Sequence, residues 1–361
     1  MVTAMLYQFD PNYAVHPGAT VREYQEYSGM SQQEFATRLG MTVQNLAKIT
    51  GERGPITPET ASALEKVTGT PASFWNKLQS QYNEYCVRER IAREAENQAA
   101  WVKRFPVKEI IERGFLQANE TIHSLYEPLL EFFGVVNPKA WDDLWMCPEA
   151  APRRAQAFED NPYIAATWLR MGEKMAMQTR LENGTDKNKF KEILPDILKL
   201  SCNEPNVFIP QMRAMCAEVG VYFVLVPELK KLTWHGATKW LHSRNAMILL
   251  NLRGKKEDTF WFSFLHEACH VLYDSKKDLL INVGDKENES EQRANAFAAK
   301  MICNGLETEI KKARSAKALE EIAAQLGIAP GLVAGQHRFM TNNFSQYNHL
   351  IRTFCWLPST Q

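Results

Sequence analysis

Thr259-Phe-Trp-Phe-Ser-Phe-Leu-His-Glu-Ala-Cys-His-Val-Leu-Tyr273 decides how the second half of this chain is read. The stretch contains neither glycine nor proline and is apolar nearly all round, so it predicts a buried helix. Within it, His266 and His270 stand one turn apart on a single face, where two neutral imidazoles can grip one cation. Nitrogen donors of this kind suit zinc. Glu267 follows the first histidine and falls beside the ion, positioned to take a proton from a polarised water. Short motifs of this kind also arise by chance. A chance match more often lands in a polar helix, whereas two histidines and a glutamate in an apolar one are costly unless paired or ligating metal.

A mononuclear catalytic zinc takes three protein ligands. Downstream, Glu289-Ser-Glu-Gln-Arg-Ala-Asn-Ala-Phe-Ala-Ala-Lys-Met-Ile302 predicts a second helix with Ala294, Phe297, Ala298 and Met301 on its inner face. Glu291 precedes Ala294 by three positions and looks inward with that face, which makes it the candidate third ligand. Asn295, one turn further on, can hydrogen-bond a ligand histidine. Glu287 and Glu289 compete for the role from a charged loop or the helix start, and Glu291 alone also reads as a helix-start carboxylate favoured by the dipole.

His266-Glu267-x-x-His270 followed by Glu291-x-x-Ala294-Asn295-x-Phe297-Ala298 resembles the ImmA/IrrE family of zinc metallopeptidase domains. The resemblance extends upstream through the block from Cys216 to Pro227, Gly236-Ala-Thr-Lys-Trp240 and Ile248-Leu-Leu-Asn-Leu-Arg253, and covers residues 190–340. It implies a gluzincin-like peptidase that cleaves a transcriptional regulator or a similar protein. Cys269 departs from the small residue often found before the second histidine, and its helix position points it away from both.

The first eighty residues carry different signals. Ser31-Gln-Gln-Glu34 is a capping box, predicting reciprocal bonds between the Ser31 hydroxyl, the Glu34 carboxylate and each other's amides. Phe35, Ala36 and Leu39 form the inner face of a short helix that Gly40 ends, and Thr42 caps a second helix with Val43, Leu46 and Ile49 inward. Helix, glycine turn and helix make a helix-turn-helix. Thr57-Pro58 starts another helix stopped by Gly69, and the segment from Pro71 to Tyr85 closes the bundle. The second helix of such a motif enters the major groove. Its exposed positions are Gln44, Asn45 and Lys48, of which the amides suit adenine edges and the lysine guanine or phosphate. Gln33, Arg38 and Arg53 are candidates for clamping phosphates. The charge over this region is only slightly positive, so a plain bundle with a wet polar face is the competing reading.

His16-Pro-Gly18, Ser31-Gln-Gln-Glu-Phe-Ala36, Leu39-Gly40, Ile56-Thr-Pro-Glu-Thr-Ala61 and Phe74-Trp75-x-x-Leu78-Gln79 resemble HigA-type antitoxins of the Cro/cI helix-turn-helix class. The family commonly has Asn-Gly after the recognition helix, where this chain has Thr50-Gly51.

The chain as a whole sets outer bounds. Its 361 residues allow two to three domains, and with 45% hydrophobic and 23% charged residues it is an ordinary globular sequence. Formal net charge is zero, so DNA affinity must come from a local face, presented twice by a homodimer. Residues 1–13 lack the apolar core of a signal peptide, and no run approaches the ~20 apolar residues that span a bilayer. The seven cysteines lack C-x-x-C spacing and read as free thiols in a reducing cytoplasm.

The expected fold is mainly α with a small β-sheet (α+β). It comprises a helix-turn-helix domain over residues 1–85, a helical middle region over 86–204 and a gluzincin-like domain over 205–361. Tyr222-Phe-Val-Leu-Val226 and Ala246-Met-Ile-Leu-Leu-Asn-Leu252 read as the best strands. The function expected is that of a cytoplasmic DNA-binding regulator, with no membrane partner, that holds an operator at one end. At the other, Zn2+ on His266, His270 and Glu291 cuts a protein substrate, a toxin partner or the chain itself, with Glu267 as base. The alternative is a non-catalytic antitoxin-like repressor whose peptidase-like half only binds a partner or signal. His235, His242, Tyr273 and His337 are the chemical candidates for oxyanion stabilisation, each also readable as structural or merely exposed.

Overall fold

A computed structural model describes residues 14–117, 121–146, 161–241, 244–275, 280–282 and 289–356. The chain forms two compact units, Met1–Ala99 and Ala100–Gln361.

The first unit is a helical bundle: α1 (Pro17–Ser28), α2 (Gln32–Arg38), α3 (Val43–Thr50), α4 (Pro58–Thr68) and α5 (Ala72–Asn97). Its core gathers Val21, Phe35, Ala36, Leu39, Leu46, Ile49, Ile56, Leu64 and Trp75. The starts of α2, α3 and α4 are capped by Ser31, Thr42 and Thr57, each accepting from the backbone amide three residues on. Gly40 turns the chain between α2 and α3 at φ 68°, a conformation open to glycine without strain. Gly18 lets α1 lie on the end of α3, because a Cβ there would fall 1.8 Å from the Ile49 carbonyl oxygen. A boundary after residue 85 falls inside α5, where neither glycine nor proline interrupts the helix.

In the second unit, α6 (Val107–Glu112), α7 (Tyr126–Phe133), α8 (Pro138–Trp145), α9 (Pro162–Ala176), α10 (Lys187–Lys199) and α11 (Pro205–Glu218) precede the sheet. The strands β1 (Val221–Leu225), β2 (Gly236–Leu241), β3 (Asn245–Leu250) and β4 (Leu280–Asn282) lie in the order β1-β3-β2-β4. β1 runs parallel to β3 in the register Val221↔Ala246. β2 runs antiparallel to β3 (Thr238↔Ile248) and to β4 (Gly236↔Asn282). The long helix α12 (Glu257–Tyr273) follows β3, and α13 (Glu289–Cys303), α14 (Glu307–Lys312), α15 (Ala316–Leu326) and α16 (Pro330–Met340) complete the unit.

Every residue of β3 is buried because helices cover both faces of the sheet. Successive side chains alternate between those faces. Ile248 and Leu250 join the core with Phe264 of α12, whereas Leu249 packs against Gly172 of α9. The helices before the sheet are thus part of this unit. Trp168 Nε1 donates to the Val226 carbonyl at 3.1 Å, and Arg113 donates to the carbonyls of Pro227 (2.6 Å) and Glu228 (2.8 Å). Where the sequence suggested a separate middle region over 86–204, the described residues from Ala100 onward belong to one compact unit with the sheet.

All positions of α12 from Ser263 to Leu272 are buried. Burial of side chains such as Trp261, Phe264 and Leu265 stabilises by about 1.5–3 kcal/mol each. The N-terminal end of α12 is tied to the last described segment. Glu257, fully buried, accepts from Arg352 Nε at 2.9 Å and again from Arg352 Nη2, while the Glu257 amide donates to the Arg352 carbonyl at 3.0 Å.

Candidate functional site

α12 and α13 pack side by side and bring three donors together. His266 Nε2 lies 3.0 Å from Glu291 Oε2, His270 Nε2 lies 3.4 Å from Glu291 Oε1, and the two Nε2 atoms are 3.1 Å apart. The chosen ligand atoms of the three residues all fall within 4.8 Å of one another. Both histidines are buried and Glu291 is half-buried.

The other ring nitrogens say what belongs between them. His266 Nδ1 meets Asn295 Oδ1 at 2.9 Å and His270 Nδ1 meets Asp274 Oδ2 at 2.6 Å. Both partners are acceptors, which assigns the ring protons to Nδ1 and leaves a lone pair on each Nε2. Two lone pairs and a carboxylate facing one another at about 3 Å repel unless a cation lies among them. The titration behaviour expresses the same demand. Burial pulls the His270 imidazole down, but hydrogen bonds to Asp274 and Glu291 and the nearby carboxylate charges reverse this and raise it to about 9. Burial likewise pushes Glu291 up, yet its bonds to the two imidazoles hold it at about 2. A proton or a divalent metal ion meets the need, and binding of the metal displaces the proton. Two nitrogens and one carboxylate, with both imidazoles oriented from behind, form a donor set that fits zinc.

Glu267 stands beside this set. It is fully buried, and its Oε2 accepts from Thr238 Oγ1 at 2.6 Å. Its Oε1 has no hydrogen-bond partner. Gly236 leaves room for it, since a Cβ there would come within 2.8 Å of that oxygen. Burial raises the Glu267 carboxyl above the ordinary range, against the pull of His270, His266 and the Thr238 hydroxyl. A carboxylate with one oxygen held and the other free is arranged to accept a proton.

Two supporting residues were not found from sequence. Thr238 is brought to Glu267 by the packing of β2 on α12, a long-range contact with no local signal. Asp274 follows His270 by one helical turn, so its spacing was readable. It also accepts from Ser290 Oγ at 2.8 Å and pairs with Arg293, and despite burial these bonds keep it at about 2. Replacement of Asp274 by alanine is expected to weaken zinc binding by about 10–100-fold, measured by competition with a chromogenic chelator. Unchanged affinity would remove Asp274 from the site.

Glu287 lies outside the described residues, and Glu289 is exposed at the start of α13. Cys269 is buried, with its thiol raised to about 11 by burial, and does not join the donor cluster. Of the histidines and tyrosine considered for the oxyanion, His337 is buried and bonded through Nδ1 to the Ile310 carbonyl at 2.7 Å. Tyr273 is 47% exposed with its ring against Phe297, His242 lies outside the described residues, and His235 lines a cavity next to Asn295.

In the first unit, Gln33, Gln44, Asn45, Lys48 and Arg53 are exposed, and Gln44, Asn45 and Lys48 ride on α3. Arg38 is exposed but engaged, with its guanidinium 2.9 Å from Glu34. The Ser31 hydroxyl accepts from the Glu34 amide at 3.1 Å, but the Glu34 side chain turns to Arg38, so only that half of the expected reciprocal box is seen. The left-handed residue after α3 is not a glycine. Gly51 has an ordinary φ of −87°, and the left-handed residue is Glu52 at φ 61°. Exchange of Glu52 for glycine is expected to stabilise this unit by about 0.5–1 kcal/mol, because left-handed backbone strains a residue bearing a Cβ. The exposed pair it forms with Arg22 contributes little in return. Chemical denaturation measures the change, and a loss of stability would contradict the reading.

Comparison with known families finds a match at each end of the chain. The helix-turn-helix family model matches residues 26–75, and the IrrE N-terminal-like domain, a peptidase family, matches residues 223–334. No curated relative matches the chain. Among solved structures, an addiction module antidote protein of the HigA family from Coxiella burnetii is similar at 27% identity, over 23% of this chain and 92% of that one, with a TM-score of 0.22. Among the described residues, no helix is long and apolar enough to cross a membrane.

Proposed function

We propose that this chain is a DNA-binding transcription regulator, antitoxin- or prophage-repressor-like, whose second unit is a zinc-dependent endopeptidase acting on a regulatory protein or on the chain itself. The observation that carries the peptidase reading is the pair of imidazoles whose Nε2 atoms converge with Glu291, beside a buried Glu267 with one oxygen unpartnered. His266, His270 and Glu291 would hold the ion. Bound there, zinc would supply Lewis acidity towards a water and a peptide carbonyl. Glu267 takes the proton released as the water attacks and hands it to the leaving amine, restoring its own charge. Thr238 fixes the rotamer of Glu267, and Asn295 and Asp274 keep both ring protons at Nδ1.

Zinc-loaded chain added to a lysate of its host should generate new protein N-termini that are absent with the Glu267→Gln variant. Identical N-termini in both samples would reject the peptidase reading.

The operator-binding reading rests on the family match over residues 26–75 and on the exposed polar face of α3. A homodimer presenting two such faces binds two half-sites. Alanine at Gln44 and Lys48 is expected to weaken binding to the chain's own promoter by about 10-fold or more per lost base contact in a gel shift. Retained affinity in the double variant would restrict this bundle to protein assembly.

A further inference from the structure

A cavity of about 860 Å³ opens in the second unit, outside the carboxyl ends of the parallel strands β1 and β3. Leu225 ends β1 at its wall, and Leu252, also in the wall, lies two residues past β3. In open sheets covered by helices, this end of parallel strands is where ligands collect. The volume falls within the roughly 300–1,000 Å³ of small-molecule sites. The wall is aromatic. Phe208 of α11, Phe260 of α12 and Phe354 of the last described segment set their ring centroids 5.8 Å apart in each pair, and all three are buried. Trp356 adds a fourth ring, with its indole N–H spent on Glu228 Oε2 at 3.3 Å. None of His266, Glu267, His270 or Glu291 lines this cavity.

Three charged side chains face it: Glu204, Arg213 and Arg352. Two of them answer each other. Arg352 holds Glu257 and lies 3.4 Å from Glu204 Oε1. Arg213, exposed on α11, has neither an ion pair nor a hydrogen bond among the described residues. An apolar wall with one unanswered guanidinium complements a molecule with a hydrophobic body and a single negative charge. Guanidinium geometry matches a carboxylate through paired hydrogen bonds. Glu204, lining the same cavity, works against a doubly charged phosphate.

We propose that this cavity binds a free monocarboxylic acid with a hydrophobic body, its carboxylate on Arg213 and its body against Phe208, Phe260, Phe354 and Trp356. The site is separate from the candidate metal centre and independent of the peptidase reading. It shares its walls with the root of the helix that carries both histidines. Phe260 lies in the first turn of α12, and Arg352 clamps Glu257 in the same turn. A bound acid therefore ties α11, the start of α12 and the last described segment together.

The test titrates the full-length chain with decanoate, 1-decanol and an acetylated tetrapeptide ending in a free leucine carboxylate, by calorimetry. Decanoate should bind about 10-fold tighter than decanol, and Arg213→Gln should erase that advantage while leaving decanol within about 2-fold. Ile209→Trp, from a half-buried position in the wall, should fill the cavity and remove both. Asn206→Trp, at an exposed position in the wall, repeats the filling should the first variant fold poorly. Hydrogen exchange locates the site: bound decanoate should slow amide exchange in residues 205–213 and 352–356. Absence of decanoate binding, equal affinity for acid and alcohol, or an acid advantage that survives Arg213→Gln would overturn the assignment. So would binding that survives both fillings, or protection confined to other segments. Tighter binding of the tetrapeptide than of decanoate would also overturn it, giving the cavity to a protein terminus instead.

Discussion

Glu267→Gln should keep its zinc and lose about 10²–10⁴-fold in peptide hydrolysis. The amide preserves the shape of the side chain and can still accept from the Thr238 hydroxyl, so the strand–helix contact persists. It removes the basic oxygen, the one atom of this carboxylate left without a partner. The ligands are untouched, since Glu267 lies beside the donor cluster rather than in it. Metal content by mass spectrometry and turnover of a cleaved peptide therefore separate in this variant. Loss of zinc along with activity would make Glu267 a structural support of the donors, and full activity would assign the proton transfer elsewhere.

Arg352→Ala should destabilise the second unit by about 3 kcal/mol. Arg352 answers a carboxylate with no solvent exposure, Glu257 in the first turn of α12, and also donates to the carbonyls of Asn203 (2.9 Å) and Ser201. Truncation leaves the Glu257 charge buried with only the Arg352 amide and the helix dipole to compensate it. Gly331 shows how closely that pocket is built, because a Cβ there would lie 2.4 Å from Glu257 Oε2. Since α12 carries both histidines, zinc retention at elevated temperature should fall with stability. Urea denaturation of the variant reads the effect. A change below about 0.5 kcal/mol would mean that the clamp contributes nothing net, and the double variant with Glu257→Gln should recover part of the loss.

What was legible in the sequence was whatever local spacing dictates. The helix carrying His266 and His270 was readable because its periodicity and its chemistry coincide over residues 259–273, and Glu291 and Asn295 followed from the inner face set by Ala294. The strands β1 and β3 were readable as short apolar runs. β2 was not, since Gly236-Ala-Thr-Lys-Trp-Leu241 mixes small and charged residues. There, Lys239 faces a buried Glu173 on one side of the sheet and Thr238 faces Glu267 on the other, partners supplied only by the fold. The charged stretch after residue 85, read as part of a helical linker, continues α5 without interruption to Asn97.

Everything proposed for the peptidase activity of the second unit requires one divalent ion among His266, His270 and Glu291. Zinc quantification and X-ray absorption at the zinc edge on the purified full-length chain address it directly. The expected result is one zinc per chain with a nitrogen and oxygen shell that includes two imidazoles and no sulfur, lost in a His266→Ala, His270→Ala double variant. A metal-free protein after zinc loading, or a shell containing sulfur from Cys269, would contradict it.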